Sequence, residues 1–313
     1  MRRNWAVRIL VILASASLVI GGLSLMSAGK PFWSGSVLPG EISTPSQLSD
    51  QTRYILVSGI DSSSGAALAE MSALIDLDLE TGRVAVMYIP GDTLVGENAV
   101  RYGRLSGTFN WGTEAVPEGG AAALAECVSS SFVIPVDNYL IFDMALLPEL
   151  TERLGGVRVT LPESIVLEDG SELEEGDHIF RVDDVCRYVI PDDSPDPASS
   201  EEIRAGFMEG VIRAVLGMPA KEALSLAKDN RNAIDTDISI RDHLNISGKV
   251  FGKSGEQIDY FTLPGTAVSG YGSDRLTVWS VRRAEAAALM NDRLRAHTDH
   301  ILAEDISVPE IPA

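Results

Sequence analysis

Apolar and polar residues alternate along residues 72–90, on both sides of the short turn sequence "ETG". A period of two around a glycine-containing turn predicts a β-hairpin. The continuous apolar run at residues 53–60 just before it predicts a buried strand. Further short segments with strand character follow at residues 136–142, 157–163 and 258–265.

Helical periodicity separates these strands. The predicted helices cover residues 118–132, 144–156, 182–189, 201–216, 220–230, 239–251 and 280–297. Gly155 and Gly156 are expected to close the second of them, because glycine readily adopts the conformation that ends a helix. The order of elements predicts one α/β or α+β domain in which helices cover a central sheet. Residues 190–202, rich in acids and prolines, are predicted to be an exposed loop.

The amino terminus predicts a membrane anchor. Arg2, Arg3 and Arg8 precede an uncharged run that is close to the ~20 residues needed to span a bilayer. The arginines predict a cytoplasmic amino terminus, a single-pass protein of the cell membrane and an extracytoplasmic domain. The predicted segments are a cytoplasmic tail (1–8), an anchor (9–29), a Pro/Ser/Gly-rich linker (30–52), the main domain (53–280) and a carboxy-terminal helix and tail (281–313). A cleaved signal peptide is the alternative, although a cleavage site is poorly formed around residues 26–28.

The chain is strongly acidic, with 45 Asp and Glu against 25 Lys and Arg and a formal charge of −20. Such a surface repels polyanions, so nucleic acid is not expected to be a partner. Two cysteines, Cys127 and Cys186, belong to no metal-ligand pattern. They could form one disulfide or remain two buried free thiols.

The motifs resemble those of one family in order and spacing. They include "ILVSGIDSSSG", "SALIDLDLETGRVAVMYIPGDT", "GRLSGTFNWG", "LTERLGGVRVTLPE", "LEEGDHIFRVDDVCRYV" and "YFTLPGTAVSG". As a set they resemble the LytR-CpsA-Psr family over roughly residues 53–270. The resemblance implies a three-layer α/β/α sandwich with a central mixed sheet, preceded by one transmembrane helix. It also implies transfer of an anionic glycopolymer, such as teichoic acid, from a polyprenyl-pyrophosphate carrier to peptidoglycan at the membrane.

The resemblance also assigns site residues. It implies catalytic roles for Asp92, Arg104 and Arg204, substrate binding by Asp61, Arg104 and Arg204, and a Mg²⁺ site at Asp61, Glu70 and Asp92. Arginine, with its forked donors, suits a pyrophosphate. A glutamate at position 70, where the family has aspartate, fits strict magnesium geometry poorly, so weak Mg²⁺ binding is expected.

The chain departs from the family at its arginines. Other residues stand where the family places a basic group: Ser63, Leu68, Gly91, Ile190, Asp192 and Glu201. Loss of such charges from a phosphoryl-transfer site predicts weakened activity. Compensation would require Arg101, Arg181 or Arg187 to move in.

Each retained residue also has a structural interpretation. Asp61 and Asp92 suit turns, and Arg204 could simply pair with Glu201 one helical turn away. Two hypotheses therefore stay open. The chain is a glycopolymer phosphotransferase with an altered headgroup site, or it is a catalytically silent lipid-binding or regulatory partner of active paralogues.

Overall fold

The computed structural model describes residues 52–63, 65–96, 103–115, 120–167, 170–190, 197–217, 229–230, 232–238, 258–273 and 275–311. The predicted anchor, nearly all of the linker, the 239–251 helix and most of the 220–230 helix lie outside these ranges. Within them, no helix has the length and apolar character needed to cross a membrane.

Twelve strands are present in the described ranges. They are β1 (Thr52–Asp61), β2 (Leu68–Asp78), β3 (Val84–Pro90), β4 (Asn138–Asp143), β5 (Val157–Leu161), β6 (Ile165–Val166), β7 (Glu172–Leu173), β8 (Gly176–Phe180), β9 (Ile234–Thr236), β10 (Ile258–Thr262), β11 (Gly265–Tyr271) and β12 (Leu276–Val281). Six of them form the central sheet in the order β10-β3-β2-β1-β4-β9. The sheet is mixed, because β1–β4 and β3–β10 are parallel while the other pairs are antiparallel.

Six helices lie in the described ranges, five between strands and the last after β12. They are α1 (Leu105–Ala115), α2 (Gly120–Phe132), α3 (Leu147–Leu154), α4 (Val182–Tyr188), α5 (Pro197–Gly217) and α6 (Arg283–Arg293), with 3₁₀ turns at Met144–Leu146 and Ala303–Asp305. The left-handed Gly155 ends α3, as predicted.

Alternating side chains of the sheet enter two separate cores. Ile55 and Val57 of β1 face a core built with α3, α4, α5 and the small β5–β8 sheet. Leu56 of the same strand faces a second core built with α1, α2 and α6. The two cores on opposite faces give the three-layer sandwich that the family resemblance implied.

Helix α5 approaches the β5–β8 sheet closely because it carries small residues at the crossing. A Cβ at Gly206 would lie 3.2 Å from the Thr160 carbonyl oxygen, and one at Gly210 would overlap the Arg158 carbonyl. This approach places the first turns of α5 beside the edge of the central sheet.

Two sequence-based predictions were wrong. Residues 197–202 are not loop, because α5 begins at Pro197, and Glu201 is buried. The helix predicted over 280–297 is shorter, since Ser280 and Val281 pair with β11 and the helix ends at Arg293. Of the two alternatives for the cysteines, the free thiols are confirmed, although Cys186 is exposed and not buried.

The carboxy-terminal tail is part of the fold. Ile301, Ile306 and Val308 are buried in the core of α1, α2 and α6. The backbone of Ser307 also donates to the carbonyl of Ser131, at 3.1 Å. The tail therefore seals the second core.

We predict that Ile306→Ala will lower the free energy of unfolding by ~2–5 kcal/mol, because the isoleucine is fully buried and its removal leaves a cavity. Leu302→Ala is the matched control, since Leu302 belongs to the same tail but is 62% exposed. Urea denaturation of both variants measures the difference. Equal stabilities would contradict the integral role of the tail.

Candidate functional site

The site lies at the edge of the central sheet that is formed by the ends of β1 and β3 and the start of β2. Strand β2 runs antiparallel to both β1 and β3, so the start of β2 lies beside the ends of its neighbours. Asp61 pairs with Leu68 in the ladder, and Pro90 pairs with Met71. As a result the three predicted acids, Asp61, Glu70 and Asp92, all reach this edge.

Asp92 forms an ion pair with Arg104. The pair is positioned by backbone hydrogen bonds between the loop after β3 and the start of α1: Leu105 N to Thr93 O (2.8 Å) and Ser106 N to Gly91 O (2.8 Å). The Arg104 guanidinium then donates to the Asp92 carboxylate. Asp92 is the more buried partner of the two.

Arg204 is the centre of a second group, here termed the Arg204 cluster, which consists of Glu70, Tyr88, Glu201 and Arg204. The Nη1 atom of Arg204 donates to Glu201 Oε1 at 2.9 Å and lies 3.5 Å from Glu70 Oε2. Its Nε donates to the carbonyl oxygen of Val189 at 3.1 Å. The hydroxyl of Tyr88 donates to the other oxygen of Glu201 at 3.0 Å. Arg204 is therefore buried within an ion-pair network rather than lying on a polar helix face.

Burial dominates the electrostatics of the site. It raises the pKa of Glu70 and Asp92 and raises the pKa of Glu201 to about 7, although the arginines oppose each shift. Burial alone would lower the pKa of Arg204, but Glu201 and Glu70 outweigh it and the pKa is raised. Arg204 therefore stays charged, and the carboxylates of Glu70 and Glu201 both interact with its guanidinium.

Asp61 stands apart from these pairs. It accepts hydrogen bonds from the backbone N–H of Ser63 at 3.1 Å and from the Ser63 hydroxyl at 2.9 Å. The residue that replaces the expected arginine therefore closes a local turn on Asp61. This is the structural interpretation that the sequence left open.

Gly91 stands where the resemblance predicts a base, and the surrounding backbone explains the glycine. A Cβ at this position would lie 2.8 Å from the Glu70 carbonyl oxygen and 3.0 Å from that of Ala69. Any side chain would have to displace the adjacent strand. An arginine cannot be restored at this position without moving the loop.

The remaining sequence candidates lie elsewhere or outside the described ranges. Arg187 lies over the ring of Tyr188, with 5.1 Å from its guanidinium carbon to the ring centroid. Arg181 occupies the N-cap of α4, where its backbone N–H donates to Asp184. Ile190 packs partly buried against the first core. Arg101 and Asp192 are among the residues that the structure does not describe.

The three acids of the predicted magnesium site each have a partner within the chain. Asp92 is engaged by Arg104, Glu70 faces Arg204, and Asp61 is bound by Ser63. In the described part of the chain, no three or more His, Cys, Asp or Glu side chains are grouped to hold a metal ion. The weak Mg²⁺ site stays a prediction.

Tyr88 was not predicted to be a site residue, whereas Glu201 was predicted both as a replacement for a base and as a partner of Arg204. The i, i+3 spacing of Glu201 and Arg204 indicated their ion pair. No sequence signal indicated that Tyr88 would lie beneath them, because that contact depends on how α5 crosses the sheet.

The fold and site define an α/β/α sandwich with an arginine–carboxylate site at one sheet edge. The model of the LytR_cpsA_psr family matches residues 38–294. The chain therefore belongs to the LytR-CpsA-Psr family. Comparison with curated protein sequences gives no match.

Solved structures share the fold at low sequence identity. TagV of B. subtilis has 15% identity and a TM-score of 0.56, covering 78% of this chain and 96% of TagV. The protein gbs0355 of Streptococcus agalactiae has 19% identity and a TM-score of 0.56, covering 82% and 94%. TagT bound to LIIa-WTA has 15% identity and a TM-score of 0.54, covering 83% and 92%. At this identity the likeness establishes the fold alone.

We predict that Gly91→Ala will destabilise the protein by ~1–3 kcal/mol. The new methyl group would overlap the backbone of the adjacent strand, which cannot move without disturbing the sheet. Gly96→Ala is the control in the same loop, since its Cβ would meet nothing closer than the Gly103 Cα at 3.7 Å. Thermal unfolding of both variants is the measurement. A Gly91→Ala protein as stable as Gly96→Ala would show that the loop is not held against Glu70.

Proposed function

We propose that this protein acts in cell-envelope biogenesis as a membrane-anchored relative of the glycopolymer phosphotransferases, with weakened transfer activity. Its ligand would be an anionic glycopolymer on a polyprenyl-pyrophosphate carrier, and its acceptor would be peptidoglycan. Family membership supports the general role. The neighbour TagT, which is bound to LIIa-WTA in its structure, supports a glycopolymer of the teichoic acid kind.

The observation that carries the proposal is the state of the two retained arginines. Arg104 is paired with Asp92, and Arg204 with Glu201 and Glu70. A pyrophosphate needs positive groups that are available to it, because its transfer depends on neutralising phosphate charge. Here the retained guanidinium groups already have carboxylate partners, which would weaken headgroup binding and transfer.

Binding of the prenyl tail depends on apolar contacts and not on charge. An apolar chain is bound through buried area, at about 25 cal/mol per Å², and needs no arginine. Lipid binding and transfer can therefore separate in this protein. The same reasoning favours the alternative function, a catalytically silent lipid-binding or regulatory partner of active paralogues.

Location is part of the proposal. We infer that residues 9–29 anchor the protein in the cell membrane, with residues 1–8 in the cytoplasm and the folded domain outside. The arginines before the apolar run support this orientation. Protease treatment of intact spheroplasts should then degrade the folded domain. A domain that resists the protease until the cells are lysed would contradict this orientation.

The transfer activity is tested in vitro with a lipid-linked anionic glycopolymer and peptidoglycan oligomers. We expect turnover ~10³–10⁵-fold below that of TagT, the range associated with loss of an arginine that stabilises phosphoryl transfer. A fluorescent polyprenyl phosphate should still bind the purified ectodomain.

Arg204→Gln should abolish whatever transfer remains. Arg213→Gln is the matched control, because Arg213 lies on the same helix but pairs with Glu209 in a more exposed position. Wild-type turnover equal to that of TagT would overturn the weakened activity. Absence of both transfer and lipid binding would overturn the proposed function itself.

A further inference from the structure

Glu201 is the most completely satisfied acid in the Arg204 cluster. One carboxylate oxygen accepts from Arg204 Nη1 at 2.9 Å, and the other accepts from the Tyr88 hydroxyl at 3.0 Å. Glu201 is 3% exposed and Tyr88 is fully buried. The carboxylate is therefore held in place by its own partners and does not depend on solvent.

Arg204 is held just as firmly. Its Nε donates to the carbonyl of Val189, immediately after α4, and its side chain is buried beside Glu70. The guanidinium therefore cannot swing away from Glu201 without breaking this backbone hydrogen bond.

We propose that Glu201 is an internal anionic lock, a carboxylate that occupies Arg204 in place of a phosphate group and thereby determines whether this edge of the sheet binds pyrophosphate. The proposal rests on the proposed function, since it takes the headgroup to bind at this edge. A phosphate oxygen must displace a carboxylate that is already positioned, and it also meets the negative charges of Glu70 and Asp92. Both effects act against an incoming anion.

A purely structural role for Glu201 would be to tie α5 to the central sheet. Other contacts already do this. The Tyr260 hydroxyl donates to the carbonyl of Ala205 at 2.7 Å, and Arg213 donates to the carbonyl of Ile258 at 3.3 Å. Together with the apolar core under α5, these contacts should keep the helix in place when the charge of Glu201 is removed.

The test is Glu201→Gln, which keeps the shape of the side chain and removes its charge. Calorimetric titration of the ectodomain with inorganic pyrophosphate is carried out at a pH above the Glu201 pKa of about 7, where the wild-type carboxylate is charged. It should show binding about ten- to hundredfold tighter than in wild type, the range expected when a charged hydrogen bond becomes available. The double variant Glu201→Gln, Arg204→Gln should lose the gain. Glu209→Gln is the matched control on the same helix, because Glu209 pairs with Arg213 instead.

Equal pyrophosphate affinities in wild type and Glu201→Gln would overturn the lock, as would a gain that survives in the double variant. If Glu201→Gln does not fold, Tyr88→Phe provides the second test. It removes only the hydroxyl that holds Glu201 and should give a smaller, several-fold gain, whereas an unchanged affinity would overturn the lock.

Failure of the lock can be distinguished from failure of the proposed function. Binding of a polyprenyl phosphate by the wild-type ectodomain depends on the apolar tail and not on Glu201. If that lipid binds and Glu201→Gln gains no pyrophosphate affinity, the lock alone is wrong. If neither the wild type nor Glu201→Gln binds the lipid or pyrophosphate, both proposals are wrong.

Discussion

The antiparallel position of β2 between β1 and β3 is the constraint on which the site depends. Because β2 runs against both neighbours, its first residues lie at the same sheet edge as the ends of β1 and β3. Glu70 thereby meets the loop that carries Asp92, and the close approach at Gly91 follows from the same geometry. Arg104 immediately precedes α1 and Arg204 lies on α5, and these two helices cover opposite faces of the sheet.

Placing charges at a buried edge has a cost that the structure offsets by pairing them. A buried arginine is tolerated only when its donors are satisfied, and a single unpaired charge would be strongly destabilising. In a site that binds phosphate, the ligand supplies part of this compensation. Here the carboxylates of Glu201 and Glu70 pair with Arg204 from within the chain. The positive charge of Arg204 is therefore compensated without a ligand.

Much of the framework could be predicted from the sequence. The period-two pattern predicted β2 and β3, and Gly155 predicted the end of α3. Both predictions were possible because these signals are local in the sequence. Helix α1 could not be predicted, since "LSGTFNWGTEA" has weak helical character and is stabilised by the burial of Leu105 and Phe109. The Tyr88–Glu201 contact was equally hidden, because 113 residues separate its partners and only the packing of α5 brings them together.

The same packing explains why single substitutions at family positions are not equivalent in this chain. Ser63 stands at a turn where the resemblance predicts an arginine, and its hydroxyl donates to Asp61. At Gly91, where the resemblance predicts a base, the neighbouring strand backbone leaves no space for any side chain. Glu201 differs from both, because at this position, where the resemblance also predicts a base, a carboxylate forms an ion pair with Arg204. Of the three, Glu201 alone forms an ion pair with an arginine of the site, so its charge is part of the electrostatics there.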